Sequence, residues 1–126
     1  MANIPAELKY TKEHEWVKLD GNTAVVGITD YAQGELGDIV FVELPSVGDT
    51  ITQNEPFGTL ESVKAVSDLI APINGTIESV NEELESKPEL LNEDPYGEGW
   101  IIKIKISDQI ELENLLSSED YASLVQ

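Results

Sequence analysis

The sequence predicts a mainly β protein with a few short helices. Short β-prone runs follow one another along the middle of the chain, separated by Gly, Asn, Asp and Pro. Several of the separations are tight enough for hairpins. A faint internal echo also relates Pro45-Ser46-Val47-Gly48-Asp49-Thr50-Ile51 to Pro72-Ile73-Asn74-Gly75-Thr76-Ile77, as expected of a sandwich with similar halves on each side of Lys64.

The run His14 to Leu19 opens the β region. Asp20-Gly21-Asn22 is a hairpin signal, and Thr23 to Ile28 is the return strand. Thr29 or Asp30 can cap a helical turn through Gln33, with Gly34 and Gly37 limiting its length. Asp38 to Leu44 reads as a strand buried on both faces, and Pro45 to Asp49 as a turn. Phe57 to Val63 and Val66 to Ile70 are two strands separated by Lys64 and Ala65 alone, which predicts a two-residue tip. Asn74-Gly75 is a preferred type I′ pair, and Thr76 to Val80 alternates like a half-buried strand. Asn81 to Leu91 allows a short helix broken by Pro88, and Asn92 to Gly99 is a loop. Trp100 to Ile106 places Ile102, Ile104 and Ile106 on one face. Toward the C-terminus, Asp108 with Glu111 is a capping pair before Leu112, Leu115 and Leu116, and Ser117 or Ser118 caps a last helix.

A chain of 126 residues fits one domain, taken as residues 1–126. Its 25 acidic residues face 7 basic ones, all lysine, for a formal charge of −18. Such a field repels nucleic acid and anionic lipid and favours basic patches on protein partners. Cysteine is absent, which excludes disulfides, thiolate nucleophiles and cysteine metal sites. The N-terminal residues lack a basic region followed by an apolar one, and no apolar run approaches the ~20 residues of a membrane helix. A cytoplasmic protein is the expectation.

Enzyme chemistry finds little support. The one histidine, His14, lies in Lys12-Glu13-His14-Glu15 and reads as an exposed residue at a strand end. The oxygen-rich run Asn92 to Glu98 lacks the order of a calcium loop and reads as solvated, and Gly97-Glu98-Gly99 precedes a strand where a phosphate loop would precede a helix. Lys64 is different. It stands alone between Ile51 and Ile70 at a hairpin tip, among small or apolar neighbours, where a modifying enzyme can close around its amine.

Glu61-Ser62-Val63-Lys64-Ala65 resembles the lipoylation motif of glycine cleavage system H proteins. The resemblance extends through Leu8 to Val17, Gly27 to Gln33, Leu36 to Pro45, Ser67-Asp68, Ala71 to Gly75, Asn92 with Pro95-Tyr96, and Gly99 to Lys105. It covers the chain from about Leu8 to Tyr121. Neither the Met-Lys-Met of biotin carriers nor the Asp-Lys-Ala common in 2-oxoacid dehydrogenase lipoyl domains occurs.

The resemblance implies a two-sheet antiparallel β sandwich, a barrel-sandwich hybrid, with short helices chiefly at the C-terminus. It implies a monomeric carrier without catalysis of its own. Lipoic acid would be attached by an amide to Lys64, with Glu61, Ser62, Val63 and Ala65 as the recognition motif of a lipoyl ligase or lipoyltransferase. The arm would take an aminomethyl group from the pyridoxal-phosphate glycine decarboxylase and present it to the tetrahydrofolate-dependent aminomethyltransferase. It would then be reoxidised by the FAD-containing dihydrolipoamide dehydrogenase. Glu15 and Asp68 match family acidic positions and are candidates to line a cleft for the cationic loaded arm, while no role carries over to Glu35. Three other readings stay open: a lipoyl relay carrier for 2-oxoacid dehydrogenase complexes, an unmodified acidic interaction module, and an enzyme using Glu15 and His14, which would show turnover in the unmodified form.

Overall fold

The computed structural model describes residues 3–107 and 109–125. Two antiparallel sheets face each other. The larger takes the order β1 (Lys9–Tyr10), β2 (Glu15–Asp20), β3 (Thr23–Ile28), β9 (Ile102–Ile106), β8 (Gly75–Val80), β5 (Thr50–Ile51). The smaller is β4 (Ile39–Glu43), β6 (Pro56–Ser62), β7 (Val66–Ile70). Short helices α1 (Asp30–Leu36), α2 (Glu83–Ser86), α3 (Leu90–Glu93) and α4 (Ser118–Leu124) cover the ends, with a 3₁₀ segment at Gln109–Asn114.

Alternation along the strands makes the core. Val26, Ile77, Ile102 and Ile104 of the larger sheet meet Ile39, Val42, Leu60 and Leu69 of the smaller. Leu84 of α2 and Leu91 of α3 close one side. The larger sheet carries a second cluster in which Tyr10 stacks on Tyr121 of α4 at 4.8 Å, beside Leu8 and Trp16. With apolar layers on both faces there, Glu15, Trp16 and Val17 are buried in succession and β2 does not alternate at its start.

Much of the expected local structure is present. Asp20 pairs with Thr23 across a two-residue turn in which Gly21 has φ 63°. The Thr29 hydroxyl caps α1 by accepting from the Ala32 N–H. The internal echo is a physical pairing, because β5 and β8 hydrogen-bond to each other with Thr50 opposite Thr76.

Several expectations fail for reasons of packing. Strand β4 buries only Ile39 and Val42, while Val40 and Phe41 are about half exposed, because β4 is an edge strand covered on one face and irregular in register between Ile39 and Phe41. Asn74-Gly75 forms no type I′ turn, since Gly75 is the first residue of β8. Its role is close approach: a Cβ there would lie 2.4 Å from Ile104 Cγ2 and from the Lys105 carbonyl oxygen. The segment carrying Leu112 is a 3₁₀ helix, and Leu116 instead bridges Tyr10 as an isolated strand pair. The Asp108–Glu111 capping pair involves Asp108, which lies outside the described residues.

Candidate functional site

Strands β6 and β7 form the hairpin that carries Lys64, with Glu61 opposite Val66 as its last regular rung. The tip comprises Val63, Lys64 and Ala65, one residue more than the predicted pair. Ser62 explains the extra residue. Its N–H donates to the Ala65 carbonyl at 2.8 Å, while its hydroxyl oxygen accepts from the Lys64 and Ala65 N–H groups at 3.2 and 3.1 Å. A side chain thus satisfies amides that a tighter turn would have satisfied with backbone.

The tip is exposed but tethered. The Val63 N–H donates to the Asp38 carbonyl at 3.1 Å. The Lys64 stem runs over Gly37, which ends α1 with φ 79° and ψ −157°. A Cβ on Gly37 would lie 3.1 Å from Lys64 Cε. The sequence marked Gly37 only as a helix stop. Its contact with the lysine joins residues far apart in the chain, and local spacing carries no signal for it. Gly37→Ala is expected to lose about 1–3 kcal/mol, because this backbone region is nearly glycine-only. The added methyl group would also displace the lysine stem. A thermal melt and the rate of enzymatic modification at Lys64 check both effects.

Around the tip the surface is apolar. Val63 and Val66 are each about two-thirds exposed. Phe41, Glu61 and Val66 lie side by side across β4, β6 and β7, so the motif carboxylate is flanked by two exposed apolar side chains.

Two cavities follow one another beside β7, whose outer edge pairs with no strand among the described residues. The first, about 230 Å³, is lined by Leu36 (next to Gly37) together with Ser67, Tyr31, His14, Glu35 and Glu13. The second, about 280 Å³, is lined by Glu13, Glu15, Thr11, Gln53, Ile70 and Leu116 among others. Glu13 lines both cavities, which adjoin there as a groove beside β7 that reaches Glu15; Lys64 itself lines neither.

At the far end Glu15 is 2 % exposed. Its Oε2 accepts from the Ile70 N–H at 2.7 Å, on the unpaired edge of β7. Its Oε1 is buried and has no hydrogen-bond partner among the described residues. Burial, with the nearby Glu13 charge, pushes the carboxyl up to about 8, against the opposing pull of the Ile70 N–H and the Thr11 hydroxyl. Burial thus favours the protonated form of Glu15 at neutral pH. Asp68 stands elsewhere. It is exposed, pairs with Thr59 and is not among the residues lining either cavity.

His14 is not the exposed residue that its polar neighbours predict. It is half-buried in a left-handed turn with φ 66°, and its Nδ1 lies 2.9 Å from the Tyr121 hydroxyl. That hydroxyl is 2.7 Å from Thr29 Oγ1, at the cap of α1. Burial lowers the His14 pKa, although Glu13 and Glu35 pull the other way. The aromatic residue that completes this network lies 107 positions away in sequence. Asn92 and Glu93, expected to begin a loop, are the last residues of α3, and the loop after it is likewise structural: Asp94 accepts from the Glu98 N–H, and the Pro95 carbonyl accepts from the Trp16 indole.

Residues 8–126 match the family model described as Glycine cleavage H-protein. The chain belongs to that family. It is 57 % identical over 126 residues to the glycine cleavage system H protein of Carboxydothermus hydrogenoformans, covering 100 % of this chain and 97 % of the relative. To that of Halothermothrix orenii it is 59 % identical over 124 residues, covering 98 % and 97 %. The crystal structure of a glycine cleavage system H protein from Mycobacterium marinum superposes with a TM-score of 0.85 at 40 % identity, covering 95 % of this chain and 97 % of that one. As an H-protein family member the chain belongs to a family of lipoyl carriers, and it has an exposed lysine at a hairpin tip and a buried acid, Glu15, lining a cavity beside β7.

Proposed function

We propose that Lys64 carries a lipoyl group in amide linkage, and that the chain is the lipoyl carrier of the glycine cleavage system rather than an enzyme. The observation that carries this reading is the Glu61–Ala65 motif with its lysine on an exposed, tethered hairpin tip, on the hairpin whose strand β7 borders a cavity lined by Glu15. Attachment needs the Lys64 amine in its neutral form. Its nitrogen attacks the carbonyl carbon of an activated lipoyl group. The C–N bond forms, the activating group leaves with its bonding pair, and the amine proton passes to solvent. Exposure at the tip leaves the amine accessible to that reaction.

The chain has no cysteine, and a bound dithiolane would supply both sulfurs, one to bond the aminomethyl unit and the other to be released as a thiol when the S–S bond breaks. The described residues fit such an arm. Gly37 leaves room for the lysine stem, the groove runs beside β7, and Glu15 presents a carboxyl oxygen to a cationic amine. A cation at Oε1 would drive Glu15 to ionise and form an ion pair in a site of low water access, where charge pairing is stronger than in bulk. Asp68, on the outer face, would act at the approach to the groove. The proposed partners are the pyridoxal-phosphate decarboxylase, the tetrahydrofolate-dependent aminomethyltransferase, dihydrolipoamide dehydrogenase and the enzyme that attaches lipoate.

The test is the intact mass of natively expressed protein with peptide mapping, followed by glycine-dependent exchange of bicarbonate with the decarboxylase. A lipoyl increment on Lys64 and exchange that depends on it are the expected results. An unmodified chain, or exchange independent of modification, would overturn the reading. The charge of −18 carries a related expectation. Exposed charges are screened within ~10 Å at 0.1 M salt, so the KM of the decarboxylase for this carrier should rise with ionic strength. A KM flat from low to moderate salt would remove electrostatic docking from the account.

A further inference from the structure

We propose that Asn92 is a positioning residue for Lys64, acting through the three residues that tether the lysine tip; this rests on Lys64 being the lipoylation site. Asn92 lies on α3 and uses both ends of its amide. Its Nδ2 donates to the Gly37 carbonyl at 2.8 Å and to Gln33 Oε1 at 3.1 Å. Its Oδ1 accepts from the Ile39 N–H at 2.9 Å. The side chain thus holds Gly37 and Ile39 on either side of Asp38, where α1 ends and β4 begins.

The same three residues hold the lysine tip. Gly37 supports the Lys64 stem, Asp38 accepts from the Val63 N–H, and Ile39 pairs with Ser62. Helix α1 ends in a nearly glycine-only conformation, and the ladder between β4 and β6 is irregular directly after Ile39. Regular pairing therefore does little to fix this corner. Asn92 bonds the Gly37 carbonyl and the Ile39 N–H from a third element. Losing those bonds would let the corner move and take with it both contacts that orient Val63 and Lys64.

The measurement is steady-state modification of the unloaded chain by a purified lipoate–protein ligase with lipoate and ATP, for wild type, Asn92→Ala and Asn92→Asp. Asn92→Asp keeps the acceptor for Ile39 but sets a carboxylate against the Gly37 and Gln33 oxygens. Ser117→Ala, which removes the cap of α4, serves as a control for general loss of stability. Amide exchange at Val63 is followed in parallel.

Both Asn92 variants are expected to stay folded, to lower kcat/KM for the ligase about tenfold, chiefly through KM, and to lose protection at Val63. The control should change neither. Wild-type kinetics and Val63 protection in both Asn92 variants, or equal losses in the Ser117→Ala control, would overturn the proposal. Failure of the underlying reading looks different, because the wild-type chain would then gain no lipoyl mass at Lys64.

Discussion

Lys64→Arg is expected to abolish carrier function and leave the fold unchanged. The side chain is exposed, and its described contact is the stem lying over Gly37, which arginine can reproduce. Surface changes of this kind usually stay within about ±0.5 kcal/mol. What arginine lacks is an amine that can lose its proton, since a guanidinium with a pKa above about 12 does not attack an activated carboxyl group. The variant should melt with the unmodified parent, gain no lipoyl mass and support no glycine-dependent bicarbonate exchange. Other lysines should not substitute. Lys103 and Lys105 lie within β9, and Lys103 sits 4.9 Å over the Trp100 ring, so neither projects from a hairpin tip. Normal exchange in the variant would sink the assignment of Lys64. A large fall in melting temperature would instead make the lysine structural.

Glu15→Gln is expected to change stability in a pH-dependent way and to shorten the life of the loaded arm. Burial raises the folded-state pKa of Glu15 to about 8, against an ordinary value of 4.5. Between those values the folded state binds more protons than the unfolded one, so stability falls as pH rises. The favourable contribution is complete below the unfolded pKa and is lost as pH climbs through about 8. Each tenfold change in proton affinity between the two states is worth about 1.4 kcal/mol, so the loss across this window is a few kcal/mol. The neutral amide does not titrate. The unloaded variant should therefore match the parent near pH 5 and melt higher at pH 8.

Function should move the opposite way. A loaded amine that pairs with ionised Glu15 in the parent has no counter-ion in the variant, so release of the aminomethyl group into buffer should quicken. Asp68→Asn, on the exposed face of β7, should leave the melting profile unchanged and alter release less. Parallel melting profiles for parent and Glu15→Gln, together with unchanged release, would remove Glu15 from the groove's chemistry.

What could be read in the sequence was local chemistry. Strand period, the Gly21 turn, the Thr29 cap and the Glu61–Ala65 motif depend on neighbours a few residues apart, and each is present in the fold. The motif also singled out Lys64, because composition had already removed thiols and most other chemistry. Glu15 was marked by resemblance, not by any property of its neighbours. Its burial is a product of packing, and the N–H that its Oε2 accepts from belongs to Ile70, 55 residues away.

Tertiary structure decided everything that required two distant segments to meet. Strand β4 has the composition of a buried strand, yet its place at a sheet edge exposes Val40 and Phe41 beside the lysine hairpin. Gly75 belongs to a turn by its dipeptide and to a strand by the closeness of Ile104. His14 is polar by its neighbours and half-buried by Tyr121. The sequence by itself singled out Lys64 as the residue proposed to carry the cargo, because a motif and its exposure at a tip are local properties. Only the folded chain decided where the proposed resting place of that cargo lies, because a groove exists between elements and has no residues of its own until α1, β2 and β7 are brought together.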